Sequence, residues 1–309
     1  MKFLYQLYFA LPQFKSLSFL GKVFTKINAM LLKRILDHYM PAYYLRTASA
    51  AGLGITTEKR VVPLIVSVTS FPARIEDVWI SLESLLRQTV EPDAIILWLA
   101  KEQFPDGNLP IKLLNLQERG LTIRYCDDLR SHKKYFYAMQ EFPEACIITF
   151  DDDLYYDENV IERLLTLYEQ YPDCICTNRA HQIKIENGKV LPYRQWYHNA
   201  KNILTPTKSL LPTGGAGTLY PPNSLPATAF DAELIRSLCF HADDVWLKLM
   251  ATLNDKKTVT HTYYNKDFLT VSRTQNEKLV SQNVFDGGND TQFQNVCNHF
   301  SITSSHFID

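Results

Sequence analysis

The chain has 309 residues, a formal net charge of −1 and 46% hydrophobic side chains. That length suits one large or two modest α/β domains, and that apolar content builds a packed core, which excludes a disordered chain. The near-neutral balance excludes the basic field on which nucleic-acid binding depends, so no nucleic acid is expected as a partner.

The first 36 residues stand apart. Lys2, Lys15, Lys22, Lys26, Lys33 and Arg34 precede the first acid, Asp37, and alternate with Phe3, Tyr5, Tyr8, Phe9, Phe14, Phe19 and Phe24. Lysines interrupt every apolar stretch before it reaches the length of a bilayer span. No small-residue cleavage site of the kind a signal peptide needs follows Lys2. Residues 1–60 therefore read as a basic, aromatic helical segment. Two readings stay open for it: contact with an anionic membrane surface through residues 1–36, or an amphipathic helix packed on the body of the protein.

Residues 61–309 form the body. Val61 to Thr69 predicts a first buried strand, and Ser70-Phe71-Pro72 a turn into a helix carrying Ile75, Val78, Trp79, Leu82, Leu85 and Leu86 at helical spacing. A second strand follows over 94–99, a helix over 109–118, a third strand over 121–126 and a short helix over 134–140. The run 145–150 is a fourth strand, apolar enough to be buried on both faces. Asp157 is expected to cap a helix striped by Val160, Ile161, Leu164, Leu165 and Tyr168. Alternation at this pitch predicts βαβ units, hence an α/β fold with a mostly parallel central sheet flanked by helices, whose ligands bind beyond the carboxyl ends of the strands. Residues 180–230, rich in Pro, Gly, Tyr and Thr, predict loops and short strands. A helix begins at Asp243-Asp244, and a strand is expected over 258–264. The six cysteines show no disulfide framework, and Cys174-Ile175-Cys176 has the wrong spacing for a redox or zinc motif; reduced core thiols are expected.

The residues that point to chemistry are acidic. Asp151-Asp152-Asp153 ends the fourth strand, and three carboxylates there repel one another unless something positive joins them. Along an extended tip, residues i and i+2 point the same way. Asp151 and Asp153 are therefore expected to face a common cation, with Asp152 turned away. Mg2+ or Mn2+ held by one or two carboxylates plus substrate phosphate is the fitting ion. The turn Thr213-Gly214-Gly215-Ala216-Gly217 permits close backbone approach. Asp243 suits a helix cap, and Asp244 suits a general base kept ionised by the helix N-terminus. Trp196, Tyr197 and His198 read equally as a sugar platform or a core aromatic cluster.

The order of a buried strand, Thr69-Ser70-Phe71-Pro72-Ala73-Arg74, a helix, and then a buried strand ending in Asp-x-Asp resembles the GT-A glycosyltransferases. The style is that of the bacterial family-two-like enzymes of capsule and lipopolysaccharide synthesis, over about residues 61–275. The resemblance implies a catalytic domain that takes a nucleoside diphosphate sugar (UDP- or GDP-linked) and a Mn2+ or Mg2+ ion. It implies transfer of the sugar to a hydroxyl of a lipid-linked or polysaccharide glycan acceptor, with inversion, at the cytoplasmic face of a bacterial membrane.

By the same resemblance Thr69, Ser70, Phe71 and Arg74 hold the nucleoside. Asp151 and Asp153 meet the metal, Asp151 and Asp152 the donor, and Gly214 and Gly215 line the donor sugar. Asp244 is the base. His261 is a further metal ligand, and Ser272, Arg273 and Gln275 close over the diphosphate. Asp127 or Asp128 accepts from the base of the nucleotide, and Lys133 and Lys134 balance the diphosphate. The second strand runs into Ala100-Lys101-Glu102-Gln103 where the family has an acidic turn, which leaves open which acid touches the base. A sugar nucleotidyltransferase, a metal-dependent phosphohydrolase and a non-catalytic carbohydrate-binding protein are the competing readings. The first lacks its glycine-rich signature with Arg and Lys, the second an aspartyl nucleophile near the first strand. The third has no need of the aspartate triplet, the lysine pair and Asp244 together.

Overall fold

The computed structural model describes residues 19–200, 202–264, 268–276 and 287–309, with Phe3, Gln6 and Tyr8 ahead of them. Lys2, Tyr5, Phe9, Phe14 and Lys15, and the side chains of Phe19, Lys22, Phe24, Lys26 and Gln275, lie outside the described residues.

Seven strands form the central sheet: β1 (Leu64–Thr69), β2 (Ala94–Ala100), β3 (Leu121–Cys126), β4 (Cys146–Phe150), β5 (Ile175–Thr177), β10 (Thr218–Tyr220) and β11 (Thr258–Thr260), in the order β11-β5-β10-β4-β1-β2-β3. All neighbours run parallel except β10, which runs antiparallel to both β4 and β5. The mostly parallel α/β sheet flanked by helices is the class expected from the alternating pattern. Its strands read as continuous apolar runs because both faces are covered: every residue of β4 is buried, and so are the first five of β1.

The helices that cover the sheet are α1 (Phe19–Thr47), α2 (Val78–Leu85), α3 (Ile111–Leu114), α4 (Lys133–Glu141), α5 (Val160–Gln170), α6 (Ala232–Leu238), α7 (Asp243–Leu253) and α8 (Gly288–Phe300). One side of α1 is not separate from the body. Leu32, Leu36, Met40 and Tyr44 are buried in the same cluster as β1 and α2. Each such side chain contributes on the order of 1.5–3 kcal/mol. Among the described residues no helix is long and apolar enough to cross a membrane.

Two short antiparallel pairs lie in the chain between β5 and β10: β6 (Ala180–Gln182) pairs with β9 (Leu210–Pro212), and β7 (Ile185–Glu186) with β8 (Lys189–Val190). The β7–β8 hairpin closes through Asn187 and Gly188, both at positive φ, as a two-residue turn of this twist requires.

Asp157 is not the cap of α5. It is buried, accepts from the Asn159 N–H (2.8 Å) and pairs with Arg163 (3.0 Å), so a turn of chain separates it from the helix start. The six cysteines are free thiols.

The topology sets up one rim. β1, β4 and β5 end there at Thr69, Phe150 and Thr177. The reversed β10 begins there, which carries the glycine turn just before it to the same edge.

Candidate active site

At this rim the aspartate triplet divides differently from strict alternation. The chain bends directly after Phe150, and the three carboxylates part. Asp151 Oδ1 accepts from Lys134 Nζ (2.7 Å). Asp152 accepts from Ser70 Oγ (2.5 Å) and from Arg74 (2.5 Å), and Asp153 stands 3.3 Å from the same guanidinium. Asp152 and Asp153 thus share Arg74, while Asp151 is engaged by Lys134. Burial would weaken the charge on Arg74, but Asp152 and Asp153 outweigh it and hold the pKa above its ordinary value. The loop after β1 therefore acts first as a clamp on the triplet. The Thr69 hydroxyl donates to Trp98 O (2.8 Å), and the Phe71 ring lies under Arg74.

Lys134 is the hub. It sits in the first turn of α4, buried, with Nζ 2.7 Å from Asp151 and 2.9 Å from Asp243. Burial alone would favour the neutral amine. Asp151, Asp243 and Asp244 outweigh it and hold its pKa well above the ordinary lysine value. This lysine, expected to balance a diphosphate, instead joins the two acidic motifs. Lys133 points elsewhere and pairs with Asp128 (2.8 Å). Asp127 is exposed at the edge, 3.5 Å from Lys101.

Asp243 and Asp244, adjacent in sequence, are driven apart. Asp243 is the first residue of α7 and provides no cap; its carboxylate is taken by Lys134. Burial would raise its pKa, but Lys134 and then His132 bring it below the usual carboxylate value. Asp244 is partly exposed and accepts from the Gly214 N–H (2.9 Å). Desolvation, with the charge of Asp243 added, pushes its carboxyl up to about 7, against the pull of Lys134. One acid is held ionised and its neighbour is poised to exchange a proton near neutral pH, the division that acid–base sites use.

The glycine turn serves these carboxylates. A Cβ on Gly215 would stand 2.5 Å from Asp151 Oδ2, and one on Gly214 would stand 2.8 Å from Asp244 Oδ1. Side chains there would displace both acids. Tyr156 secures the turn from below, donating to Gly215 O (2.8 Å) and accepting from the Asp151 N–H (3.0 Å).

The three expected metal ligands are not brought together. His261 Nδ1 accepts from the Tyr263 N–H (3.1 Å), so Nε2 carries the proton and donates to Asn178 (2.7 Å). Burial, then Arg163, lowers its pKa to about 4, so the ring is neutral with no lone pair left for an ion. Among the described residues no three His, Cys, Asp or Glu side chains converge as a protein-built cage. A site of the other kind, one or two carboxylates completed by substrate phosphate, remains compatible with Asp151 and Asp153. Arg74 pairs with Asp152 and Asp153, and Lys134 pairs with Asp151 and Asp243.

Of the aromatic trio, Trp196 belongs to the core. It is buried, donates to Leu191 O (2.7 Å) and packs edge-on against Phe293, while Tyr197 is exposed. Sequence reasoning missed Arg179, which lies two residues past β5 and donates to Thr213 Oγ1 (2.7 Å) beside the glycine turn. Its position at the carboxyl end of a sheet strand was the available signal.

No family model and no curated protein matches this chain. Among solved structures it is similar to a mannosyltransferase from Pyrobaculum calidifontis in complex with GDP-Man and Mn2+, at 12% identity and a TM-score of 0.39, over 75% of this chain and 65% of that one. It is similar to residues 1–349 of S. aureus TarS, at 12% identity and a TM-score of 0.41, over 67% of this chain and 59% of that one. It is also similar to the inositol-1-phosphate CTP transferase of T. maritima, at 9% identity and a TM-score of 0.36, over 66% of this chain and 86% of that one. The chain therefore spans less than two thirds of the first two structures.

Proposed function

We propose that the chain transfers a sugar from a nucleoside diphosphate sugar to an acceptor hydroxyl, with Asp244 as the base. One observation carries this reading. The Lys134 ammonium joins Asp151 to Asp243 at the carboxyl rim of a parallel sheet, and leaves the neighbouring Asp244 with a carboxyl pushed up to about 7. A structural ion pair needs no second, unneutralised acid at its side.

The chemistry follows from these positions. The acceptor oxygen attacks the anomeric carbon and loses its proton to Asp244 as the new C–O bond forms. The bond to the diphosphate breaks, and the nucleoside diphosphate leaves. Direct attack inverts the anomeric centre. Lys134 keeps Asp243 ionised, and that charge helps to make Asp244 the more basic of the pair. Asp151 and Asp153 would hold a Mn2+ or Mg2+ ion, which when bound neutralises charge on the departing diphosphate. Thr69, Ser70, Phe71 and Arg74 form the floor on the nucleoside side, with Asp127 at its edge. Residues 61–309 make up the catalytic body in this reading, and a glycan is the acceptor.

The test is calorimetric titration with UDP and GDP, with and without Mn2+, followed by NMR assignment of the product anomer. Metal-dependent binding and an inverted product support the proposal. A retained anomer overturns the role of Asp244. Absence of nucleotide binding with Mn2+ present overturns the transferase reading. Release of pyrophosphate from a nucleoside triphosphate would make the chain a nucleotidyltransferase instead.

A further inference from the structure

A soluble helix of this length hides one apolar stripe and turns a polar face to water. α1 has two apolar stripes. Leu32, Leu36, Met40 and Tyr44 are buried against the body. Val23, Ile27, Leu31, Ile35, Tyr39 and Tyr43 form a second stripe, also at four-residue spacing, with exposures from 37% at Val23 to 59% at Ile35. Met30 and Leu45 widen it, each about half exposed. Isolated exposed apolar residues are ordinary; at four-residue spacing this row winds by about 40° per step, so Ile27, Leu31 and Ile35 are the part that shares one face and makes a contact surface.

Charge indicates what covers it. Arg34 and His38 lie exposed within the same arc. Beside them a cavity of about 350 Å³ is lined by Met30, Lys33, Arg34, Asp37, His38, Ser272 and Arg273. Asp37, the only acid of that lining, is engaged inward: it accepts from the Ser272 N–H (3.1 Å) and from the Tyr155 hydroxyl (3.1 Å). The outer part of the cavity is therefore cationic. Apolar side chains interspersed with Arg34 and His38 on one exposed arc match the boundary between acyl chains and anionic headgroups.

We propose that α1 lies on an anionic lipid bilayer, with its second stripe sunk at the headgroup boundary and the basic cavity facing the lipid phosphates. The stripe extends well past the basic N-terminal stretch that first suggested such contact, to Tyr43. The site is tied to this face. Asp37 holds Ser272, the preceding residue Val271 donates its N–H to Asp153 O (2.8 Å), and Tyr155 lies two residues past the triplet. The inference rests on no catalytic assignment, and its test reads no activity.

The test is flotation of the full chain with vesicles of phosphatidylcholine alone and of phosphatidylcholine with phosphatidylglycerol. Deleting α1 would strip four side chains from the core, so substitutions on the exposed stripe are used instead: L31E with I35E, and separately R34E. The wild-type chain is expected to float with the anionic vesicles and roughly tenfold less with neutral ones. L31E/I35E should lose binding to both, with its thermal unfolding midpoint unchanged, and R34E should lose mainly the preference for anionic lipid. Three results overturn the proposal. One is a wild-type chain that ignores anionic vesicles. Another is a vesicle-indifferent dimer in sedimentation that L31E/I35E splits, which would assign it to a second copy. The last is vesicle binding that both variants retain.

Discussion

The two acidic clusters of the rim are built from similar residues and behave differently. Asp152 and Asp153 are met by one guanidinium and one serine hydroxyl, supplied by the loop after the neighbouring strand. Asp243 and Asp244 are met by one ammonium and one backbone N–H, from a helix and a turn distant in sequence. In the first cluster a forked cation spans two acids. In the second a point charge serves one of the pair, and its neighbour is left with its carboxyl shifted upward. The ammonium is already divided between Asp151 and Asp243, so Asp244 is left to a backbone N–H, and that creates the asymmetry.

Removing the point charge breaks the comparison most severely. Lys134→Met should cost about 3–5 kcal/mol, because Asp243 becomes a buried charge without a partner, and it should abolish transfer. Urea unfolding measures the first effect and product formation the second; full stability in the variant would show that Lys134 is not the hub.

Asp244→Asn keeps the hydrogen bond from Gly214 and removes the proton acceptor. Transfer should fall by about 10²–10⁴-fold with nucleotide affinity retained. A variant with wild-type turnover would exclude Asp244 as the base.

The same variant sharpens the comparison through pH. The Asp244 carboxyl is raised in the folded chain, so the stability it contributes is fully present below the ordinary carboxylate value of 3.8 and is lost as pH rises through about 7. Asp243, shifted down, contributes in the opposite sense: its stability is present above that ordinary value and lost as pH falls. Asp244→Asn should therefore flatten the decline of unfolding free energy between pH 4 and pH 8. An unchanged slope would mean that this carboxyl is not raised.

Gly215→Ala pushes a methyl onto Asp151 Oδ2. Overpacking of this kind costs about 1–3 kcal/mol, and nucleotide affinity should fall with it while Asp244 keeps its own partner. The smallest effect is expected of His261→Asn. Loss of its two hydrogen bonds should lower stability by about 1 kcal/mol and leave metal-dependent nucleotide binding unchanged; a lost metal response would restore His261 as a ligand.

The parallel half of the sheet was legible because its strands carry their burial in their own composition. LIVSVT, AIILWLA and CIITF need no partner to be recognised. β5, β10 and β11, each only three residues long, are too short to show a period: β5 carries no sequence signal, β10 falls in a stretch legible only as loops and short strands, and β11 is shorter than the strand expected over 258–264. The acids of the site were legible for a similar local reason: charge runs at the ends of apolar elements. Their partners were not. That Lys134 meets Asp243, or that Arg74 takes Asp153 as well as Asp152, depends on which segments meet across the rim. Alternation failed at Asp153 because the chain leaves the strand conformation one residue after Phe150. Arg179 and the half-buried His261 show the converse: one carries no motif, and the other is given a role by the resemblance that its hydrogen bonds already exclude.

Strand β10 has a consequence for the order in which the molecule can be made. It runs backwards between β4 and β5 and belongs to a segment synthesised well after both. Until it arrives, β4 is an unpaired edge in what will become the middle of the sheet, an apolar edge open to mispairing with another nascent chain. Gly217, at positive φ with its Cα against the Phe150 ring, can settle only when that edge closes. The strand that completes the acidic rim is thus also the one that closes this apolar edge, and both events come late, because long-range pairing is slow.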